Sequence, residues 1–557
     1  MNLFARHFIL HLLIIFSTGN AFAQSTLHKY FISFTDKNGS TFSVSNPSEF
    51  LSQRAIQRRA NQGIQISSED LPVNSNYADA LTSAGARLLG TSKWFNGAAV
   101  ECDSSTLISI QSLPFVSGSR IVRGPVKKER EQAKFRSDLN SVLNEPSILR
   151  VQGFDYGQSF NQIHLMNGEY LHNQGFTGNG MLIALLDAGY FNVDQLNAFD
   201  TLRMLGNIVA TWDFVEGNDS VYEDDAHGTQ VLSCIAGNVP GQLVGTAPHA
   251  SFLLLRSEDA PTEYIVEEYY WAFAAEYADS AGADIISSSL GYTTFDDSTM
   301  NHTYLDMDGN TAPSTIAADK AASKGILVIS SAGNSGNNPW RYIGAPADGD
   351  SVLAIGAVNQ FGVKAGFSSW GPSSDGDVKP NVAAKGEQTT IAWPNGFVGT
   401  GNGTSFACPV LAGAAACLWQ AHPGKTNMEI FRAIEQSANY YQNPGDSLGY
   451  GIPNFITADI LLGGGTLNLP GEDLLHSVYP NPFSSRIEIR FYSFSHQNLI
   501  VELIDALGRN IMRESVKAEA GIVNQISINP PADLNKGIYF IRIESKGKLY
   551  TRRIMKI

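Results

Sequence analysis

Four side chains of this 557-residue chain carry the groups that acyl transfer needs: Asp187 in LIALLDAGY, His227 in DDAHGTQV, Asn334 in SSAGNSG and Ser405 in GTGNGTSFACP. A serine hydroxyl is a weak nucleophile until a base takes its proton. A histidine bonded to it can be that base, and an acid behind the histidine fixes its tautomer and stabilises the imidazolium. An asparagine amide and the backbone N–H of the serine can hold the oxyanion of a tetrahedral intermediate. Gly399, Gly401 and Gly403 allow a sharp turn and a close approach just before Ser405. The apolar run VLAGAAACLWQ that follows reads as a buried helix, with Pro409 near its start. Ser405 is then presented where free N–H groups and the helix dipole favour negative charge. Each residue has a plain alternative. Ser405 could be an N-cap, Asp187 could cap a neighbouring helix, and His227 and Asn334 could be turn residues. Together, all four fall at the carboxyl end of an expected strand or at a helix start.

The elements that must position them alternate between strand and helix from 156 to about 460. MLIALLD, ASFLLLRS, ADIISSSLG, ILVISSAGN and SVLAIGAV read as strands. TQVLSCIAG, residues 261–282 and TIAADKAASKG read as helices. This spacing predicts an α/β domain with a mostly parallel central sheet flanked by helices. Ligands of such sheets bind beyond the carboxyl ends of the strands. Residues 28–123 read as a small α+β unit, with strands at KYFISF, ARLLGTSKWF, GAAVEC and FVSGSRIV. Its helices are expected at 47–63 (basic, with Arg54, Arg58 and Arg59), 75–85 and STLISIQSL. A charged, proline-bounded stretch over 123–146 is a linker. After a Gly-rich segment from 461, short alternating strands predict a small β-sandwich.

Composition bounds the rest. Charged residues are 16% and hydrophobic residues 43%, which is globular. The net charge of -15 argues against nucleic acid as the main partner. Arg6 and His7, the apolar run FILHLLIIF and Ala21-Phe22-Ala23 form the pattern of a secretory signal peptide, cut after Ala23. Cys102, Cys234, Cys408 and Cys417 have no metal-ligand spacing. Cys234 and Cys408 form either a disulfide, permitted outside the cytoplasm, or packed thiols, the reading favoured. Asp306-Met307-Asp308-Gly309-Asn310 starts like a calcium loop but lacks the later acid, and reads as a turn.

The segments LIALLDAGY, HGTQV, ISSSLG, SSAGNSG and GTSFACP, in that order, resemble the subtilisin-like serine peptidases; the order Asp, His, Ser is taken from that family and not deduced. The resemblance, over about 180–460, implies a secreted serine endopeptidase with Asp187, His227 and Ser405 as its triad and Asn334 in the oxyanion hole. It also implies that Ser289, Leu290 and Gly291 pair with the substrate backbone, and that Ala332 and Gly333 line the pocket before the cut. Three departures stand out: Ala188 for a usual Thr or Ser, Gln230 for a usual His, and Ala226 for a common Gly. No cofactor is implied for the chemistry and no metal site is assigned. Structural calcium is frequent in the family, but no ligand set matches here.

The flanks resemble an inhibitory pro-domain over 24–123 and a type IX secretion sorting domain over 475–557. The latter carries Tyr479-Pro480-Asn481-Pro482, DALGR and KGIYF. The expected division is signal peptide 1–23, pro-domain 24–123, linker with processing site 124–155, peptidase 156–460, linker 461–474 and sorting domain 475–557. The expected partners are protein or peptide substrates, the chain's own pro-domain as intramolecular inhibitor, and the type IX secretion machinery. The product is expected to be secreted or on the cell surface. Two rivals remain at this stage. One is a catalytically inactive surface-binding protein on a subtilisin scaffold. The other is a Ser-Glu-Asp carboxyl peptidase, against which the intact HGT segment argues.

Overall fold

Strands almost without polar residues set the centre of the molecule. The computed structural model describes residues 26–124, 134, 150–151, 154–463, 474–493, 495–519 and 522–557. The expected signal peptide, most of the first linker and residues 464–473 of the second lie outside the described residues.

The amino-terminal unit holds β1 (His28–Phe34), α1 (Gln53–Asn61), α2 (Ser75–Ser83), β2 (Arg87–Ser92), β3 (Gly97–Cys102), α3 (Ser104–Gln111) and β4 (Val116–Arg123). Its strands form one antiparallel sheet in the order β2-β3-β1-β4. The helix expected over 47–63 is split. A 3-10 turn covers Pro47–Glu49, and Ser52, whose side chain accepts from the Ala55 N–H, starts α1 afresh.

The central unit introduces β5 (Leu182–Asp187), β6 (Ile208–Asp213), α4 (His227–Ala236), β7 (Ser251–Arg256), α5 (Val266–Ala281), β8 (Ile285–Ser288), α6 (Pro313–Ser323), β9 (Leu327–Ser331), β10 (Val352–Val358) and β11 (Val382–Lys385). The seven strands are parallel in the order β11-β10-β9-β8-β5-β7-β6. Beyond them come the hairpin β12 (Thr389–Ala392) with β13 (Val398–Gly401), then α7 (Thr404–Ala421) and α8 (Asn427–Ser437). Along β5 the side chains alternate between two cores. Ile183 and Leu185 pack with α4, α7 and α8, while Leu182, Ala184 and Leu186 pack with α5 and α6. Both faces are covered, which is why β5, β7 and β10 are near-continuous apolar runs. The chain leaves β7 on one side of β5 and returns as β8 on the other, so the sheet's switch point lies at β5, whose last residue is Asp187. The helix expected over 261–282 begins only at Val266, because a turn closed by Thr262 N–H to Asp259 O (3.0 Å) precedes it. It ends at Gly282, in the left-handed conformation at φ 92°.

The amino-terminal unit is joined to α5 by core and by charge. Phe31, Ala99 and Val122 belong to the same apolar cluster as α5, and Phe31 stacks on Tyr269 at 4.2 Å. Asp279, fully buried in α5, accepts from Arg58 (2.6 Å) and Arg59 (2.9 Å) of α1 and from Lys93 (2.8 Å). Arg59 is held from its other side by Asp70 at 2.7 Å. One turn earlier in α5, Glu276 accepts from the Lys93 and Trp94 N–H groups at 2.8 and 3.1 Å and from the Ser92 hydroxyl.

The carboxyl-terminal unit is a two-sheet β-sandwich, as expected. Strands β14 (Leu474–Tyr479), β15 (Ile487–Ser493) and β18 (Ile522–Ile528) form one sheet. Strands β16 (Gln497–Asp505), β17 (Asn510–Ala518), β19 (Gly537–Ser545) and β20 (Lys548–Lys556) form the other, in the order β17-β16-β19-β20. Its core, with Phe491, Leu503 and Ile541 among its members, draws only on residues after 474 among those described.

Candidate active site

Asp187, His227, Asn334 and Ser405 come together at the carboxyl ends of the central strands. Asp187 is fully buried at the end of β5, and its Oδ1 lies 2.7 Å from His227 Nδ1. That spacing requires α4 to start almost on top of the strand. Gly228 makes it feasible: a Cβ there would stand 2.4 Å from the Gly189 carbonyl oxygen and 3.0 Å from Asp187 Cβ. His227 is the first residue of α4, and its own N–H is accepted by Asp225 Oδ1 at 2.7 Å. Burial alone would lower the His227 pKa. The Asp187 carboxylate outweighs it by charge and hydrogen bond, with Asp225 adding, so the ring's pKa lies above its ordinary 6.5.

The departure at Ala188 has a visible counterpart. Asp187 Oδ1 also accepts the Ala188 N–H at 2.8 Å, but Oδ2 is buried with no hydrogen-bond partner among the described residues. Position 188 supplies no hydroxyl that could reach it.

Ser405 is the second residue of α7; the N-cap position is held by Gly403, so Ser405 is not itself the cap. Pro409 lies four residues on, inside the helix, and lacks the N–H that would bond the Ser405 carbonyl. Ser289 fills the gap by donating its hydroxyl to Ser405 O at 2.9 Å. In return Ser405 Oγ donates to the Ser289 carbonyl, at 3.5 Å. The serine hydroxyl thus contacts the Ser289 carbonyl, and the His227 ring lies 6.2 Å from that of the next residue, Phe406.

Asn334 follows β9. Its Oδ1 accepts both the N–H and the hydroxyl of Thr404, each at 2.9 Å, and the Gly333 N–H donates to Thr404 Oγ1 at 3.2 Å. These bonds settle which way the amide faces. Its nitrogen points to the turn before Ser405, 3.7 Å from where a Cβ on Gly403 would stand. Ser289, Leu290, Gly291, Ala332, Gly333, Asn334 and Ser405 all line one cleft of about 630 Å³. The backbone N–H and C=O groups of Leu290 and Gly291 bond to no other described residue. The sequence reading passed over Lys134, which lines the same cleft among buried carboxylates.

All four cysteines are free and buried, including Cys234 and Cys408. Burial pushes the Cys408 thiol up to about 12, so it is inert packing. Residues 306–310 form turns, as expected. Two acidic groups among the described residues have the spacing to hold a metal ion, the exposed Asp350, Asp375 and Asp377 and the buried Glu258, Glu263 and Glu267.

Residues 178–452 match the subtilase family, residues 29–137 match a peptidase S8 propeptide domain of Bacteroidota, and residues 477–557 match a secretion system C-terminal sorting domain. Subtilisin E of Bacillus subtilis (strain 168) is 33% identical over 322 residues, 56% of this chain and 75% of that protein. Subtilisin of Bacillus pumilus is 33% identical over 285 residues, 50% of this chain and 90% of its own length. The thermostable alkaline protease of Halalkalibacterium halodurans is 28% identical over 319 residues, covering 57% and 77%. A sorting domain at the carboxyl end marks the chain for export, to the medium or the cell surface. The chain belongs to the subtilase family of serine endopeptidases, with the family's propeptide ahead of the peptidase and a secretion sorting domain behind it.

Proposed function

We propose that the chain hydrolyses peptide bonds through an acyl-enzyme on Ser405. The 2.7 Å contact between the buried Asp187 and His227, whose ring lies 6.2 Å from that of Phe406, the residue after Ser405, carries this reading. His227 takes the Ser405 proton and later returns it to the leaving amine, while Asp187 holds the ring's Nδ1–H and stabilises its charged form. The Asn334 amide nitrogen and the Ser405 N–H at the start of α7 stabilise the oxyanion. In donating to His227, Ser405 Oγ gives up its long contact to the Ser289 carbonyl. Ser289–Gly291, whose backbone groups at Leu290 and Gly291 have no partner among the described residues, takes the substrate as an added strand, and Ala332 and Gly333 wall the pocket beside the cut. No bound ion takes part in any of these steps.

The flanks follow from this reading. Residues 1–23 are a signal peptide, 24–123 an inhibitory pro-domain, 124–155 a linker cut during maturation, 156–460 the peptidase, 461–474 a second linker and 475–557 the type IX sorting domain. Labelling by a fluorophosphonate tests the assignment directly. A label found on any residue but Ser405 rejects it.

Two further results are expected. Asn334→Ala should lower kcat by about 10²–10³-fold with little change in KM, since its amide acts on the transition state. An equal loss in KM would assign Asn334 to substrate binding instead. The acid limb of kcat/KM should have its midpoint above pH 6.5, because a base whose pKa is raised is neutralised by protonation earlier as pH falls. Asp225→Asn removes one of the charges that raise it and should move that midpoint down; an unmoved midpoint would assign the limb to another group.

A further inference from the structure

The cleft that holds Ser405 also holds a second cluster of charge, which the hydrolytic steps do not use. Between β7 and α5 the chain supplies Glu258 and Glu263, and the first turn of α5 supplies Glu267. Oxygens of the three carboxylates lie within 4.8 Å of one another, and the side chains are 1%, 7% and 0% exposed. Three like charges that close and that dry cannot coexist without a countercharge. Two of the three are nevertheless also held by groups other than Lys134. Tyr292 OH donates to Glu258 Oε2 at 2.9 Å, and the Tyr264 N–H donates to Glu267 Oε1 at 3.0 Å. The opposite oxygens, Glu258 Oε1 and Glu267 Oε2, are left facing one point.

That point is occupied by the ammonium of Lys134. Its Nζ lies 2.5 Å from Glu267 and 2.9 Å from Glu263, pairs with Glu258, and donates to the Thr262 carbonyl at 3.0 Å. Burial works against the charged lysine, but Glu263 and Glu267 outweigh it and hold the ammonium charged. The same loop receives Arg123, which pairs with Asp259 at 3.2 Å and lies over the Tyr264 ring. Both cations belong to residues 29–137, the propeptide match. When that segment leaves, the loop loses both, and the pre-set carboxylates face an open cleft.

We propose that Glu258, Glu263 and Glu267 form a substrate subsite for a primary ammonium, the side chain of a lysine in the bound peptide, and that Lys134 is its resident occupant in the uncleaved chain. Carboxylates converging on a point suit a compact ammonium with three donors better than the wide planar fork of arginine. The inference rests on the peptidase reading above.

The test uses the purified mature enzyme and peptides in which lysine is walked through the positions flanking the cut. Each is paired with a norleucine peptide, which keeps the stem without the charge. At one position kcat/KM should favour lysine by about 10- to 100-fold, the range for hydrogen bonds to a charged group, with arginine between. In the Glu263→Gln/Glu267→Gln variant that ratio should fall toward one. Equal rates for lysine and norleucine at every position overturn the subsite and leave the peptidase reading standing. Failure to cut either peptide overturns both. Loss of the lysine preference on adding millimolar calcium overturns it too, giving the cluster to a metal ion. Lys134→Met alters no carboxylate and should raise the activity of freshly purified full-length chain; unchanged activity overturns the role given to Lys134.

Discussion

Ser405→Ala is expected to abolish hydrolysis of any protein substrate and all labelling by fluorophosphonates. The loss should be about 10⁴- to 10⁶-fold in kcat, a magnitude measured on triads of this kind. On the proposed mechanism the alanine removes the atom that forms the acyl bond, yet the structure should tolerate it. Among the described residues Ser405 Oγ makes one hydrogen bond, 3.5 Å to the Ser289 carbonyl, and the α7 backbone bond that Pro409 forfeits is replaced through Ser405 O, which alanine keeps. The Tm should therefore match that of the parent. A Tm unchanged together with retained activity would sink the assignment and favour the reading of an inactive scaffold with a contaminating enzyme. In the precursor, the same variant should also fail to separate residues 24–123 from the rest, if the chain makes that cut itself.

The second large effect is expected at a residue far from the chemistry. Asp279→Ala leaves Arg58, Arg59 and Lys93 buried around a missing carboxylate. Removing one partner of a buried pair costs about 3–5 kcal/mol, and here three cations lose their partner, although Asp70 keeps one side of Arg59. The full-length chain should lose most of the stability of its α1–α5 contact. The result to look for is poor soluble yield, or early protease sensitivity of residues 26–124. Normal yield and an unchanged melting profile would show that the network contributes little. Lys93, Arg58 and Arg59 together outweigh burial and hold the Asp279 carboxyl well below its ordinary 3.8. Its contribution is therefore complete above that pH and fades only as the pH falls further. Mild acid should not part the units through Asp279.

What could be read in the sequence was what local pattern encodes. The apolar run ending in Asp187, the glycines before Ser405 and the HG pair at 227–228 each state a local need, and the structure supplies a neighbour for each. Gly228 is legible because only glycine fits against Gly189. The two-sheet ending was legible because alternation by twos survives in strands such as β16 and β19, where Leu499, Val501, Leu503 and Tyr539, Ile541, Ile543 face the core. The acceptor that Pro409 leaves on Ser405 could have been inferred from the proline alone, but not that Ser289 would fill it, since 116 residues separate them. The same holds for Arg58 and Arg59, read only as a basic helix. Nothing within α1 marks them as buried, because their partner Asp279 lies about 220 residues away. Strand β6, at the sheet edge with mixed exposure, and the short hairpin β12–β13 carry too few residues for a clear period. Lys134 sits in a stretch whose composition says only that it is charged.

The two flanking units are tied to the peptidase in opposite ways. The amino-terminal unit shares core residues and buried ion pairs with α5, whereas the described residues of the sandwich keep their core to themselves. Severing the chain on either side therefore has different kinetic meaning. A cut within residues 464–473 would leave the sandwich held by surface contacts such as Arg553 over the Phe361 ring. A cut within 125–149 would leave the amino-terminal unit held by that core and those ion pairs, and if it inhibits as proposed, its residence time, and not the scission, sets when the enzyme wakes. Latency would then last until the detached piece is itself digested, which makes the onset of activity a threshold in the number of enzyme molecules already free.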